Sequence, residues 1–150
     1  MTHRFPYPDT CLLLPLFIEE RGTTIAERMI AELTKGGELP LVISELTWLE
    51  FNSATSKYVR TGTITKEQAR QVIDAFERQC DKGFIVLPVE SMDFRTARNF
   101  IAGLNTSLKT FDALHLAMAR THECLLVTAD KQLAAAATML DIEHYFVPYS

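Results

Sequence analysis

Four acidic residues carry the chemical interest of this 150-residue chain. Asp9 follows a short β-like run, Asp130 follows the apolar run 124–128, and Asp112 lies in the first turn of a helical pattern beginning at Thr110. Parallel sheets bind ligands outside the carboxyl ends of their strands, and these aspartates fall at such ends or at neighbouring helix starts. Taken singly, each has a structural explanation, because aspartate is a preferred N-cap and first-turn residue contributing about 1 kcal/mol. Glu50 has no such explanation. It lies in mid-helix, between Leu49 and Phe51, and shares a face with Leu46, Ser53 and Lys57, where simple solvation is equally open to it. Four carboxylates gathered at one strand-end cleft would repel one another unless a divalent cation stood among them. Hard oxygen donors of this kind suit Mg²⁺ or Mn²⁺.

The elements that must position these residues show as alternating periods along the chain. Residues 5–7 form a short first strand, although Pro6 and Pro8 make it a poor one. Residues 10–20, with Pro15 near the first turns, and 23–33 are apolar at helical spacing. A short apolar run, 39–43, precedes Ser44, which caps a helical pattern reaching about Val59. Residues 65–80 place Ala69, Val72, Ile73 and Phe76 on one face, an amphipathic helix. Gly83 breaks the chain before 84–87, a candidate buried strand. Helical patterns follow at 89–104 and 110–121, then the clearest strand at 124–128, an alanine-rich helix at 130–140 and a closing strand at 144–147. No linker or repeat interrupts this order. It predicts one α/β domain over 1–150, with a mainly parallel central sheet flanked by helices.

Composition narrows the class. An apolar fraction of 47% and a charged fraction of 23% exclude disordered, collagenous and disulfide-scaffold chains. The longest apolar stretches are far short of the roughly 20 residues a membrane span needs, and the N-terminal stretch lacks the apolar core of a signal peptide. A cytoplasmic protein with no membrane partner is expected. Cys11, Cys80 and Cys124 are scattered, without metal or disulfide spacing, and are expected as reduced thiols. His3, His115, His122 and His144 show no metal-ligand pattern. The net charge of −4 argues against a nucleic-acid binder only until the four acids are set aside as cation-bound, since the other acids then balance the 15 bases.

Four segments together resemble the PIN-domain ribonucleases, specifically the VapC-type toxins of prokaryotic toxin–antitoxin pairs. Asp9-Thr10 with Leu12-Leu13-Leu14 looks like the family's opening motif and helix, and 44–50 like the segment that supplies its Glu. Phe111-Asp112-Ala113-Leu114-His115-Leu116-Ala117 is close to its Asp-Ala-x-His-x-Ala helix start, and Val127-Thr128-Ala129-Asp130 to its Thr-x-Asp strand end. One departure concerns the first strand, which in the family is aliphatic. Two prolines would cost a central strand two ladder hydrogen bonds, so either this strand is irregular or Asp9 is displaced. The resemblance implies Asp9, Glu50, Asp112 and Asp130 as direct or water-mediated ligands of Mg²⁺, with Mn²⁺ possible, and hydrolysis of RNA to a 5′-phosphate and a 3′-hydroxyl. No Ser-His-Asp spacing or Gly-rich phosphate loop competes for the chemistry.

Around these four, Thr10 and Thr128 are candidates to orient the carboxylates. Lys57 and Arg60 continue the helix face of Glu50 and, with Lys109, are candidate RNA contacts, though a solvated face is the commoner use of such charges. His115, one turn beyond Asp112, reads as a packed, hydrogen-bonded core residue rather than a general base. The continuous apolar run 12–18 exceeds what one helix–sheet contact covers. Either helices 23–33 and 65–80 of the same chain take up the excess, or another protein does. The family resemblance favours a homodimer and a cognate antitoxin. Two other classes compete: a catalytically silent PIN-fold interaction module, and another metal-dependent phosphoryl hydrolase with strand-end aspartates.

Overall fold

The computed structural model describes residues 4–20 and 23–148, so that His3 and the first residues of the N-terminal stretch lie outside it. Twelve elements alternate along the described chain: β1 (Pro6–Pro8), α1 (Thr10–Phe17), α2 (Thr23–Leu33), β2 (Val42–Ser44), α3 (Glu45–Arg60), α4 (Lys66–Lys82), β3 (Ile85–Leu87), α5 (Ser91–Ala102), α6 (Thr110–Thr121), β4 (Leu125–Thr128), α7 (Lys131–Met139) and β5 (His144–Phe146). All three strand pairings are parallel: β1 with β4, β4 with β5, and β2 with β3. Helices connect and cover them, the α/β arrangement expected from the alternation of periods. None of the helices among the described residues is long and apolar enough to cross a membrane.

The sheet consists of two hydrogen-bonded ladders, β1-β4-β5 and β2-β3, and the prolines explain the division. Leu125 donates its amide to Phe5 O and Asp9 donates to Val127 O, at 2.9 and 2.8 Å. Odd-numbered residues of β1 therefore direct their backbone groups toward β4. Pro6 and Pro8 face the opposite edge, where β2 runs alongside, and have no N–H to offer it. The strand is regular, Asp9 is not displaced, and the loss falls entirely on the β1–β2 line.

Local signals set the helix starts. Ser44 caps α3 and Thr65 caps α4, each within a reciprocal capping box that satisfies two otherwise orphaned amides. The strand at 85–87 departs from expectation. It is a half-exposed edge strand rather than a buried one, with Ile85 38% exposed, because β2 pairs with it on one side only.

The apolar run on α1 is taken up within the chain. Leu13, Leu14 and Ile18 join Ile43, Phe51 and Phe76, while Leu12 packs with Val127 and Val147. α1 lies against α2, α3 and α4, the intrachain solution, so this run does not by itself call for a second chain. Cys80 and Cys124 are buried, Cys11 opens to the surface, and all three are free. Phe76 is the hinge of the second core region: it stacks on Phe51 with ring centroids 3.9 Å apart and takes edge contacts from Phe17 and Phe84. Phe76→Ala is expected to cost about 3–5 kcal/mol in urea unfolding, the range for emptying a buried aromatic site. A loss under about 1 kcal/mol would show that this cluster is not core.

Candidate active site at the carboxyl ends of the strands

Asp9 and Asp130 directly follow β1 and β4, and both serve as N-caps. Asp9 Oδ1 accepts the Cys11 amide at 3.0 Å, and Asp130 Oδ1 accepts the Gln132 and Leu133 amides at 2.8 and 3.3 Å. Thr128 joins the two. Its hydroxyl donates to Asp9 Oδ2 at 2.9 Å and accepts the Asp130 amide at 3.0 Å. Strand pairing thus places two caps side by side although 121 positions separate them. Capping uses one oxygen of Asp130 and leaves the other toward the cleft.

Glu50 approaches from α3, half-buried. Its Oε1 accepts from the Thr10 hydroxyl at 3.1 Å and from His115 Nε2 at 2.5 Å. Burial pushes the Glu50 carboxyl upward, but the His115 hydrogen bond and charge, with Thr10, outweigh it and hold the group below the ordinary value. Asp112, in the first turn of α6, differs. Its half-buried carboxylate has no hydrogen-bond or ion-pair partner among the described residues. Its pKa is raised, first by burial and then by the negative fields of Asp130, Asp9 and Glu50, with His115 opposing. The Cys11 thiol senses the same field: burial of the sulfur and then Asp9, Asp130, Glu50 and Asp112 push it up to about 12. Cys11 and Asp112 thus both lie within the field of the other acids.

All four acids line one cleft of about 620 Å³. Along α3 the same wall presents Leu46, Glu50, Ser53, Lys57 and Arg60, the face expected from helical spacing. Lys57 makes no side-chain hydrogen bond or ion pair among the described residues, whereas Arg60 bonds Ser56 at 2.9 Å. Lys109 caps α6 from outside and is not part of the cleft wall. Sequence reasoning missed the rim: Leu49 and Phe111, 66% and 54% exposed, line the cleft beside Glu50 and Asp112. It also missed Tyr7, whose phenol reaches His115 from behind the site. Both rim residues adjoin a candidate acid in sequence, which is the signal that could have found them. A cleft of similar size, about 630 Å³, lies at the opposite ends of the strands. Its arginines are already engaged, Arg4 by Glu143 at 2.8 Å and Arg120 by the Leu140 carbonyl.

Among the described residues no three His, Cys, Asp or Glu side chains stand close enough to enclose a metal ion directly. The donor set still fits a hard divalent cation. It is all oxygen, and the unpartnered Asp112 bears the like-charge repulsion that a cation relieves. Mg²⁺ characteristically keeps several waters and takes only one or two carboxylates directly, so water can complete the contacts to the rest.

Fold and sequence together define the class. The chain matches the PIN domain family over residues 7–139 and belongs to it. Solved structures share the fold at low identity. A VapBC complex of Rickettsia felis bound to a promoter DNA fragment superposes with a TM-score of 0.72 at 14% identity, over 96% of this chain and 99% of that one. A toxin–antitoxin complex from Klebsiella pneumoniae gives 0.61 at 23% identity, over 86% and 90%. A sarcin–ricin-loop-cleaving VapC toxin of Mycobacterium tuberculosis gives 0.65 at 17%, over 87% and 94%. Comparison with curated proteins returns no sequence match.

An acid whose folded pKa is raised destabilises the fold while ionised and ceases to do so when protonated. Asp112→Asn is therefore expected to raise the melting temperature of the metal-free protein at pH 7. The gain should shrink as the pH falls through the raised folded pKa and vanish below the ordinary carboxyl value of 3.8. Calorimetric scans across this range provide the test. An unchanged midpoint at pH 7 would show that Asp112 does not feel the other acids.

Proposed function

We propose that this chain is a divalent-metal-dependent endoribonuclease acting as the toxin of a toxin–antitoxin pair in the cytoplasm. The observation that carries this reading is the placement of Asp9, Glu50, Asp112 and Asp130 on one cleft at the strand ends of a PIN fold. Asp112 and Glu50 from the helices, with Asp9 and Asp130 from the strand ends, would hold Mg²⁺ or Mn²⁺. Such an ion supplies an acidified water and positive charge for the phosphoryl and leaving oxygens.

The chain's own residues do the rest. Thr128 fixes the relative orientation of Asp9 and Asp130, and Thr10 fixes Glu50. Lys57, with no competing partner among the described residues, and Arg60 are placed to take backbone phosphates along α3. The exposed faces of Phe111 and Leu49 offer apolar surface to an unpaired base, since every base has a face for stacking. Lys109, at the N-cap position of α6 three residues before Asp112, would add a further basic contact beyond the cleft wall.

Purified protein is expected to cleave single-stranded RNA with Mg²⁺ or Mn²⁺ and to stop on chelation. Asp112→Asn and Glu50→Gln should each lower kcat by about 100-fold, the scale for removing one electrostatic group from such a site. Lys57→Ala should weaken RNA binding uniformly across sequences and lower its salt slope by about 1. Folded protein without metal-dependent cleavage would favour the silent interaction module instead.

The structural neighbours taken from toxin–antitoxin complexes support an antitoxin partner. Association between copies has a candidate surface of its own: Phe94 and Ile101, seven residues apart on one face of α5, are 50% and 40% exposed. Concentration-dependent light scattering is expected to show a homodimer, and a strict monomer at high micromolar concentration would remove that claim alone.

A further inference from the structure

Directly behind the carboxylate cleft lies a line of buried polar groups. Tyr7 is fully buried and His115 is 4% exposed. The Tyr7 hydroxyl stands 2.6 Å from His115 Nδ1 and 2.8 Å from Ser44 Oγ, and the Thr47 hydroxyl approaches it at 3.4 Å. On the far side of the ring, His115 Nε2 meets Glu50 Oε1 at 2.5 Å. An ionised carboxylate has no proton to give, so Nε2 is the donor there. On the other side Nδ1 meets the Tyr7 phenol, which also meets Ser44, so the ring bridges the phenol and the carboxylate. The contacts run as one continuous line from β2 through β1 and α6 to α3.

Such a line is demanding. Polar groups in an apolar core are tolerated only when each is satisfied, and Leu114, Leu116 and Met118 beside His115 show that this region packs well on carbon alone. The line ends on Glu50, which, like Asp112, no backbone amide restrains. Asp9 and Asp130 are held by backbone amides, whereas Glu50 is a long side chain in mid-helix with several rotatable bonds. Both ring nitrogens of His115 are engaged, so neither faces substrate, and its influence passes through Glu50.

Resting on the metal-binding reading above, we infer that Tyr7 and His115 are positioning residues that hold the Glu50 carboxylate in the orientation needed to bind a divalent cation.

The test measures affinity for Mn²⁺ alone, by electron paramagnetic resonance of free Mn²⁺, on the full chain without RNA. Tyr7→Phe keeps the ring and removes only the hydroxyl, and His115→Gln keeps a donor without the relay. Each is expected to weaken Mn²⁺ binding by about ten-fold, the low end for groups that orient metal ligands. A proton resonance of His115 Nε2, far downfield in the wild-type spectrum, should move in Tyr7→Phe and disappear in Glu50→Gln. Leu116→Val, a core change outside both the polar line and the cleft wall, serves as a folding control and should retain wild-type affinity. If Tyr7→Phe binds Mn²⁺ as wild type does while Glu50→Gln does not, the positioning role is overturned and the metal site stands. If Leu116→Val weakens binding as much as Tyr7→Phe, the effect is general destabilisation and the role is likewise overturned. If Glu50→Gln itself leaves the affinity unchanged, the metal-site reading fails and the inference falls with it.

Discussion

The phenol of Tyr7 joins two ladders that the backbone leaves unpaired. With Pro6 and Pro8 presenting no N–H to β2, the sheet lacks main-chain hydrogen bonds along the β1–β2 line. Tyr7 lies between these prolines, with its backbone committed to β4 and its side chain reaching Ser44 and Thr47 at the start of α3. Ser44 meanwhile caps α3 through the Thr47 amide at 3.2 Å. One side chain therefore ties β1 to the start of the helix that carries Glu50, and through His115 to the helix that carries Asp112. Three of the four acids depend on the relative placement of these elements. The strand that looks least suited to a central position is where the site's geometry is set.

Structural and chemical roles coincide at two of the acids. Helix starts in a parallel α/β fold cluster at the carboxyl ends of the strands, and caps are the residues found there. A carboxylate bonded to amides at a helix start is oriented, partly neutralised and favoured by the helix dipole. That is also a sound way to present an anion to a metal. Asp9 and Asp130 can thus cap α1 and α7 and still belong to the cleft, so the choice between cap and ligand does not arise for them. Glu50 has no amide to hold it and relies on Thr10 and His115 instead.

The fold was largely legible because local signals did most of the work. Residues 23–33 and 110–121 are helical in the structure over the spans read from periodicity, and Ser44 and Thr65 cap as their types predict. Less was legible where an element's environment decides its burial. The run 84–87 is apolar enough for a central strand, yet pairing on one side leaves it at an edge. The prolines of β1 could be read as a cost, but not which edge would bear it, since that depends on register with β4. At the site, the four acids could be picked out by type and position, and α3 spacing placed Lys57 and Arg60 correctly on one wall with Glu50. The contact of His115 with Glu50 spans 65 positions and that with Tyr7 spans 108. No local pattern encodes such pairs, so His115 reads as core from sequence and is both core and neighbour of the site.

The treatment of the four charges is uneven, and the unevenness has a physical sense. Asp9, Asp130 and Glu50 each receive donors from the protein, so their charge is partly answered within the fold. Asp112 receives none and bears the repulsion of the others. A site in which every carboxylate were fully satisfied by protein donors would gain stability and hold less attraction for a cation. One unanswered charge keeps the cleft short of positive charge, and stability forgone in this manner is a familiar cost of active sites. The same imbalance is compatible with the proposed polyanionic substrate despite a net charge of −4. The four acids give the centre of the cleft a negative field, and Lys57 and Arg60 carry positive charge further along α3. On the proposed function, a cation held among the acids would make the whole track from Asp112 to Arg60 favourable to a phosphate backbone, and so would govern admission of substrate as well as its chemistry.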